Sequence, residues 1–346
     1  MPGPLALRPW WLLVAAALLV VPQVLGNAYY VHVLVFSGIA IILALGLNLL
    51  LGFAGQISLA QAAFWGIGAY TSAIVTTKFG VSPWLALPID LLVTMFFGVL
   101  VALPAVKVKG HYLAIITISI NEIVRMVFVN WRGVTGGAIG LLGIPRLTLG
   151  ATVLRDETQF YYVVLIALAL CTAFASWLIR SPVGSTFRAI REDEIAAEAA
   201  GIRLSAYKLL AFVICAAYAG VAGWLYAHYM AYLSPEVFSL NESTMLLAMA
   251  VLGGLGSLWG PAIGALLLTI SRELLRSLQS FQLIAYGIMI VVIVVFLPTG
   301  LVTLPSVHWG EVREHLVHRM QRRRHTRSRA RRSAQAGTSR LEGRTQ

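Results

Sequence analysis

The residues of this chain that carry ionisable groups are unevenly spread. Between residues 187 and 212 it reads FRAIREDEIAAEAAGIRLSAYKLLAF, which gathers Arg188, Arg191, Glu192, Asp193, Glu194, Glu198, Arg203 and Lys208 in a protein only 12% charged overall. The chemistry this set supports is recognition rather than bond-making. No paired carboxylates, His/Cys cluster or nucleophile motif occurs in the apolar segments, and the seven histidines are scattered along the chain. The phosphate-cradling pattern G-x-x-x-x-G-K-[ST] is absent too, because none of Lys78, Lys107, Lys109 and Lys208 follows a glycine. No catalytic residue, metal ligand or cofactor is therefore expected, and the chain is not read as an enzyme. The run Ala196, Ala197, Glu198, Ala199, Ala200, Gly201 makes a slim helix able to enter a groove on another protein, with charged flanks to steer it. A solvated connector between membrane helices is the plainer reading of the same composition.

A second set of polar residues sits in apolar sequence. Glu122 and Arg125 stand three residues apart, where a charge at the middle of a membrane helix costs about 2.5–3.5 kcal/mol and is a functional candidate, or a mutually neutralising pair near the interface. Gln56, Ser58 and Gln61 cluster beside glycines, and Thr117, Ser119 and Asn121 alternate along one apolar stretch. Either group suits a pathway lining or bonding between helices. Gln56, Ser58, Gln61, Thr117, Asn121 and Glu122 are the candidate translocation-path residues. Asp90 lacks an evident partner and is expected close enough to the outer surface to stay wet.

The elements that must position these residues are membrane helices. The sequence is 59% hydrophobic, with a mean hydropathy of +0.82, more apolar surface than one soluble core can hide. The expected fold is all-α and polytopic, with about ten spans of roughly 20 residues: 10–26, 30–51, 57–77, 83–105, 111–130, 160–179, 206–232, 242–256, 258–275 and 281–302. The stretch VLGGLGSLWGPAIG leaves 242–275 open as two passes or one kinked helix. Residues 10–25 also fit a signal peptide with Arg8 as its basic flank, but lack a small-residue cleavage site. Cys171 and Cys215 fall in apolar stretches and read as packing residues.

Basic residues orient the frame. Lys107 and Lys109, then Arg180, Arg188 and Arg191, and finally the arginine-rich end mark three segments as cytoplasmic. Ten passes place all three with the N-terminus on that side, whereas nine strand one of them outside. A permease domain over 1–304 then contains a cytoplasmic loop at 181–206. It is followed by a tail at 305–346 that holds eleven arginines against Glu311, Glu314 and Glu342, and so most of the chain's +12 charge. That tail is expected to be disordered and near anionic lipid, with no nucleic-acid partner. The glycine-rich TGGAIGLLG with Pro145 belongs to the longest exterior segment, 131–159, and suits a structured turn. WGIGAY (65–70) and WGPAIGA (259–265) give a faint two-half repeat, a habit of transporters with interrupted helices. Within the polar stretch, 187–200 has helix-forming composition and Gly201 stands at a C′ position. Ser205 is placed to cap the next helix, and Arg188/Glu192 and Arg191/Glu194 are spaced to pair.

These residues resemble a known family. AAEAAGIRLSAYKLLAF is similar to the coupling loop of ATP-binding-cassette importer permeases, in which an Ala-Ala pair is followed, across three residues, by glycine: Ala196, Ala197 and Gly201. The glutamate that often leads the pair is Ile195 here, flanked by Glu194 and Glu198. More narrowly, the chain resembles the LivM-type permeases of branched-chain amino acid importers. The likeness runs over about 38–302, through GLNLLLGFAGQISLAQAAFWGIGAY, KGHYLAIITISINEI, TGGAIGLLGIP, RAIREDEIAAEAAGI, YKLLAFVICAAYAGVAGWLYAHYMAYLSPEVFSLNES, VLGGLGSLWGPAIGALLL and a variant ending, FLPTGL.

The resemblance implies a subunit of an ATP-driven importer of the plasma (inner) membrane. Its partners would be ATP-binding subunits, a second homologous permease and an exterior substrate-binding protein, and its cargo branched-chain amino acids. Arg188, Arg191, Glu194, Ala196, Ala197, Glu198 and Gly201 would form the ATPase-coupling surface. Relatives of the family that import urea or short amides leave the cargo open from sequence. A membrane scaffold acting through the arginine tail is the reading from another class.

Overall fold

Twenty-six residues of almost unbroken apolar sequence form the first long helix of the computed structural model: α1, Ala28–Asn48, carried on by one widened turn over Leu49–Phe53. The structure describes residues 19–23, 26–108, 110–149, 152–154, 156–275 and 287. Asn27 caps α1 by accepting the Tyr29 amide at 3.0 Å. At its far end the Ala54 N–H reaches back five residues to the Leu49 carbonyl, after which the chain leaves helical geometry until α2, Gln61–Lys78. The expected span 57–77 therefore starts four residues late. Spans expected at 83–105 and 111–130 coincide with α3, Pro83–Ala105, and α4, His111–Asn130.

The glycine-rich segment after α4 is ordered, as its composition demanded. It holds a short helix α5, Arg132–Thr135, a 3-10 turn at Gly137–Ile139, and the two-residue strands β1, Leu141–Leu142, β2, Thr148–Leu149, and β3, Thr152–Val153. Gly136, Gly137, Gly140 and Gly143 all take positive φ, and a side chain on Gly140 would strike the Leu233 carbonyl. That contact lets β1 pair antiparallel with β4, Tyr232–Leu233.

The rest is helical: α6, Glu157–Arg180; α7, Pro182–Glu192; α8, Glu194–Ala199; α9, Leu204–Met230; a 3-10 turn at Pro235–Phe238; α10, Leu240–Gly253; and α11, Gly260–Leu275. α10 and α11 are separate helices joined by a glycine turn, which settles the doubtful pair as two elements. Among the described residues, α1 with its widened turn, α3, α4, α6 and α9 are long and apolar enough to cross a membrane. The expected first span, 10–26, lies mostly outside the described residues and the last, 281–302, lies there except for residue 287. The chain divides into two units, 1–302 and 303–346; the second, which holds the arginine-rich tail, is outside the described residues.

α9 is the axis of the bundle. In its most apolar window 72% of residues are buried, as in α1, against 17% for α6. Small residues let neighbours approach its backbone: a Cβ on Gly68 of α2 would stand 2.8 Å from the Gly220 Cα, and one on Gly98 of α3 would stand 2.8 Å from the Ala216 Cβ. Packing of this kind substitutes for the hydrophobic drive that lipid does not supply. Cys215 is buried in this core and Cys171 half-buried, both as free thiols.

Candidate functional site

The polar stretch folds into an elbow. Its predicted single helix is instead two, because Asp193 adopts extended geometry (φ −156°) and starts α8 by accepting the amides of Ile195 at 2.8 Å and Ala196 at 3.1 Å. The break is a side-chain choice: a carboxylate at an N-cap offsets the helix it interrupts. At the other end Gly201 has φ +86°, and its N–H bonds Glu198 while the Ile202 N–H bonds Ala197. That pair is the Schellman arrangement, which needs a left-handed residue at this position and so favours glycine. The glycine expectation holds, but Ser205 is not the next cap. α9 begins two residues earlier, at Leu204, with Arg203 at the N-cap and no side-chain cap bond.

The expected charge pairs are also redrawn. Glu194 pairs with Lys208 at 2.5 Å, and Lys208 is buried, so this lysine is not part of a solvated surface. The Arg191 guanidinium donates to the Gly52 carbonyl at the end of α1 and lies against Gly256 in the α10–α11 turn. Arg188 donates to the Ile179 carbonyl of α6 at 3.5 Å. Tertiary partners have replaced the neighbours one turn away, because a carbonyl at a helix end lacks an intrahelical donor. Three broken places, after α1, between α10 and α11, and at the elbow, are thereby fastened at one point. Asn48 adds to the knot: its Nδ2 donates to the Ser257 carbonyl at 2.8 Å and its Oδ1 accepts the Gly256 amide at 3.0 Å. The outward surface of the elbow carries Ile195, 75% exposed, with Ala196, Glu198 and Gly201 also exposed and Ala197 buried.

A second constellation lies deeper. The Gln61 amide donates to the Leu43 carbonyl at 3.0 Å, so α2 starts beside the sixteenth residue of α1, well inside the bundle. Helix starts leave amides without partners, and at this depth other helices supply acceptors. Ser243 Oγ of α10 accepts from the Ala62 amide at 2.9 Å, Asn121 Oδ1 of α4 accepts from Ala63 at 2.8 Å, and Thr117 accepts from the Leu59 amide at 3.0 Å. The Ser243 hydroxyl in turn donates to Asn121 at 3.2 Å. Gln56 bonds the Ala54 carbonyl, and Ser58 accepts the Ala60 amide. Cys215 donates to Gln61. Five of the six path candidates are thus buried and bound to backbone around the broken start of α2, or to its flank. Glu122, the sixth, is half-exposed on α4 and takes Arg125 Nε at 3.0 Å. Asp90 is corrected. It is wholly buried beside Gly68, away from any wet surface, and its carboxylate oxygens have no hydrogen-bond partner among the described residues.

The first turn of α10 meets the first turn of α2 here, and a cleft of about 470 Å³ opens beside them between α1, α10 and α11. Sequence reasoning passed over Asn48, Ser243, Glu242 and Arg272, which hold this region. Asn48 and Ser243 look like ordinary polar residues in helices, and no local signal marks a cap supplied across the bundle.

A bundle of apolar helices with interrupted members and a polar elbow is the architecture of a polytopic membrane protein. Residues 29–297 match the model of the family described as branched-chain amino acid transport system / permease component, and the chain belongs to that family. The high-affinity branched-chain amino acid transport system permease protein LivM of Salmonella typhimurium strain LT2 is 36% identical over 297 residues, covering 79% of this chain and 70% of its own. LivM of Escherichia coli strain K12 gives the same values. LivH of that strain, the permease protein of the same named system, is 26% identical over 308 residues and covered to 95%. No solved structure matches.

Proposed function

We propose that this chain is one permease subunit of an ATP-driven importer for branched-chain amino acids, set in the plasma (inner) membrane by ten passes with both termini cytoplasmic. Its partners are two ATP-binding subunits, a second homologous permease and an exterior binding protein. The permease domain over 1–304 forms half of the path, and the tail at 305–346 lies along anionic lipid. Likeness to both LivM and LivH supports a paired assembly, since two homologous permeases carry those names. Helix directions support ten passes: Tyr29 bonds Glu273 while Asn48 bonds the turn before α11, so α1 and α11 run oppositely. Continuing this alternation through the described helices leaves the first and last spans to bring both termini to the elbow side. The two-half repeat belongs to the same proposal. α2 and α11 each follow a glycine-rich break and carry the matching motif near their starts.

The observation that carries the reading is the elbow. An exposed Ile195–Ala196–Glu198 surface faces outward while Arg191, on the same elbow, grips the breaks after α1 and before α11. A push on α7 and α8 from an ATPase reaches those breaks directly, and Arg188, Arg191, Glu194, Ala196, Ala197, Glu198 and Gly201 are its coupling residues. Thr117, Asn121, Gln56, Ser58 and Gln61 hold the interrupted wall of the path, and Glu122, paired with Arg125 on α4, completes the set of path residues. Tagged protein drawn from native membranes in mild detergent tests this. An ATPase and a homologous permease should accompany the wild type and be lost on Glu198→Lys. Gly201→Pro, which cannot take positive φ, should keep the fold but stop uptake while ATP hydrolysis persists. Recovery of the chain alone, or unchanged uptake in both variants, refutes the coupling assignment.

A further inference from the structure

We propose that the cleft between α1, α10 and α11 is a binding station for the transported molecule within the permease itself, built for a zwitterionic α-amino acid with an aliphatic side chain. This rests on the importer reading and adds a place to it. The cleft follows α1 from His32 to Leu43, about 16 Å of helix at 1.5 Å per residue. Its volume of about 470 Å³ is that of a small-molecule site, for which about 300–1,000 Å³ is usual. The lining divides by polarity along its length. At its inner end stand Ile39, Leu43, Leu246 and Met249, all buried in the bundle yet bordering the open space. Beyond them Glu242 accepts Arg272 Nη1 at 2.9 Å, and Glu236 and Glu273 border the same volume.

That division matches one ligand class. The guanidinium of Arg272, bonded through Nη1 to Glu242, is half-exposed in the cleft, where its positive charge attracts a carboxylate. Glu242 pairs with it, and Glu236 and Glu273 line the same cleft, so an anion lacking an ammonium group meets net repulsion, while an α-amino acid brings its own counter-charge to Glu242. Its side chain then lies on the Leu43, Leu246 and Met249 wall. The site borders the first turn of α10, whose Ser243 caps the broken start of α2. Irregular backbone at membrane depth is found where it is buried in protein or lines a cavity, and broken helices in transporters flank the substrate site.

The test uses the complete importer in proteoliposomes: this chain with its second permease, ATPases and binding protein. Ala40 borders the cleft from α1, and Ala40→Phe fills it. Leucine imported per ATP hydrolysed should fall at least tenfold, and valine by about half as much on a logarithmic scale. Glu242→Gln should reduce both equally. An Ala40→Phe importer that assembles and moves leucine at the wild-type ratio overturns the proposal. If that variant does not assemble, Ala40→Cys replaces it: leucine should slow thiol labelling at least fivefold in the assembled importer, and an unchanged rate overturns the proposal. A wild-type importer that hydrolyses ATP but moves no leucine overturns the importer reading instead, and this station with it.

Discussion

At Asp193 and again at Ala54–Ala60 the chain leaves helical geometry, and the freed backbone groups find partners in different ways. At the elbow the caps are local. Asp193 serves amides two and three residues ahead, and at Gly201 α8 closes with the Gly201 N–H on Glu198 and the Ile202 N–H on Ala197. At the break before α2 the local cap of Ser58 on the Ala60 amide is outnumbered by caps from Thr117, Asn121 and Ser243, on helices far away in sequence. The difference follows from the solvent. Water can finish an imperfect cap at the elbow, whereas in the apolar interior every amide must be met by protein. A break in water is a matter of a few residues, and a break in the bundle belongs to the whole fold.

The contrast is tested most severely where the elbow enters the bundle. Lys208 is buried against Glu194, and removing one member of a buried pair costs about 3–5 kcal/mol because the other stays charged. Lys208→Ala should lower thermal stability in detergent by that amount. A loss of about 0–1 kcal/mol would class the pair with surface ion pairs and extend the watery regime to the start of α9. Next comes the deep break. Asn121→Leu keeps the branched outline of the side chain but leaves the Ala63 amide and the Ser243 hydroxyl without their acceptor, which should cost about 1–3 kcal/mol for each buried orphan. Asp193→Ala removes a local cap and should cost about 1 kcal/mol, with Asp193→Asn close to neutral. If Asp193→Ala proved as damaging as Asn121→Leu, the distinction between the two kinds of break would collapse.

The same contrast explains what could be read in advance. Spans at 83–105 and 111–130, the glycine at 201 and the ordered TGGAIGLLG segment are written in hydropathy, in a turn residue and in clustered glycines, all short-range signals. The late start of α2, the partners of Arg191 and the caps Asn48 and Ser243 depend on which helices meet, and periodicity is silent about that. Asp193 misled in the opposite sense. Helix-forming composition around it predicted continuity, yet its side chain bonds the backbone ahead of it more favourably than it supports a helix through itself. Asp90, expected to be wet, was misplaced because its depth depends on Gly68 and Gly220, which draw α2, α3 and α9 together.

Ile195 gives the smallest effect on the fold and the sharpest on its use. A large apolar side chain 75% exposed at the tip of a water-facing elbow contributes little to folding, so Ile195→Ser should change stability by no more than about 0.5 kcal/mol. Where an ATPase groove covers it, burying such a side chain contributes about 1.5–3 kcal/mol, so the same substitution should weaken association with the ATPase by about tenfold or more. Thermal unfolding of the isolated subunit and titration of the ATPase onto it measure the two quantities separately. A loss of stability without a loss of affinity would mean that Ile195 packs within its own chain and that the elbow's outward face lies elsewhere. A loss of affinity alone would place the contact on a residue whose position the local caps at Asp193 and Gly201 fix.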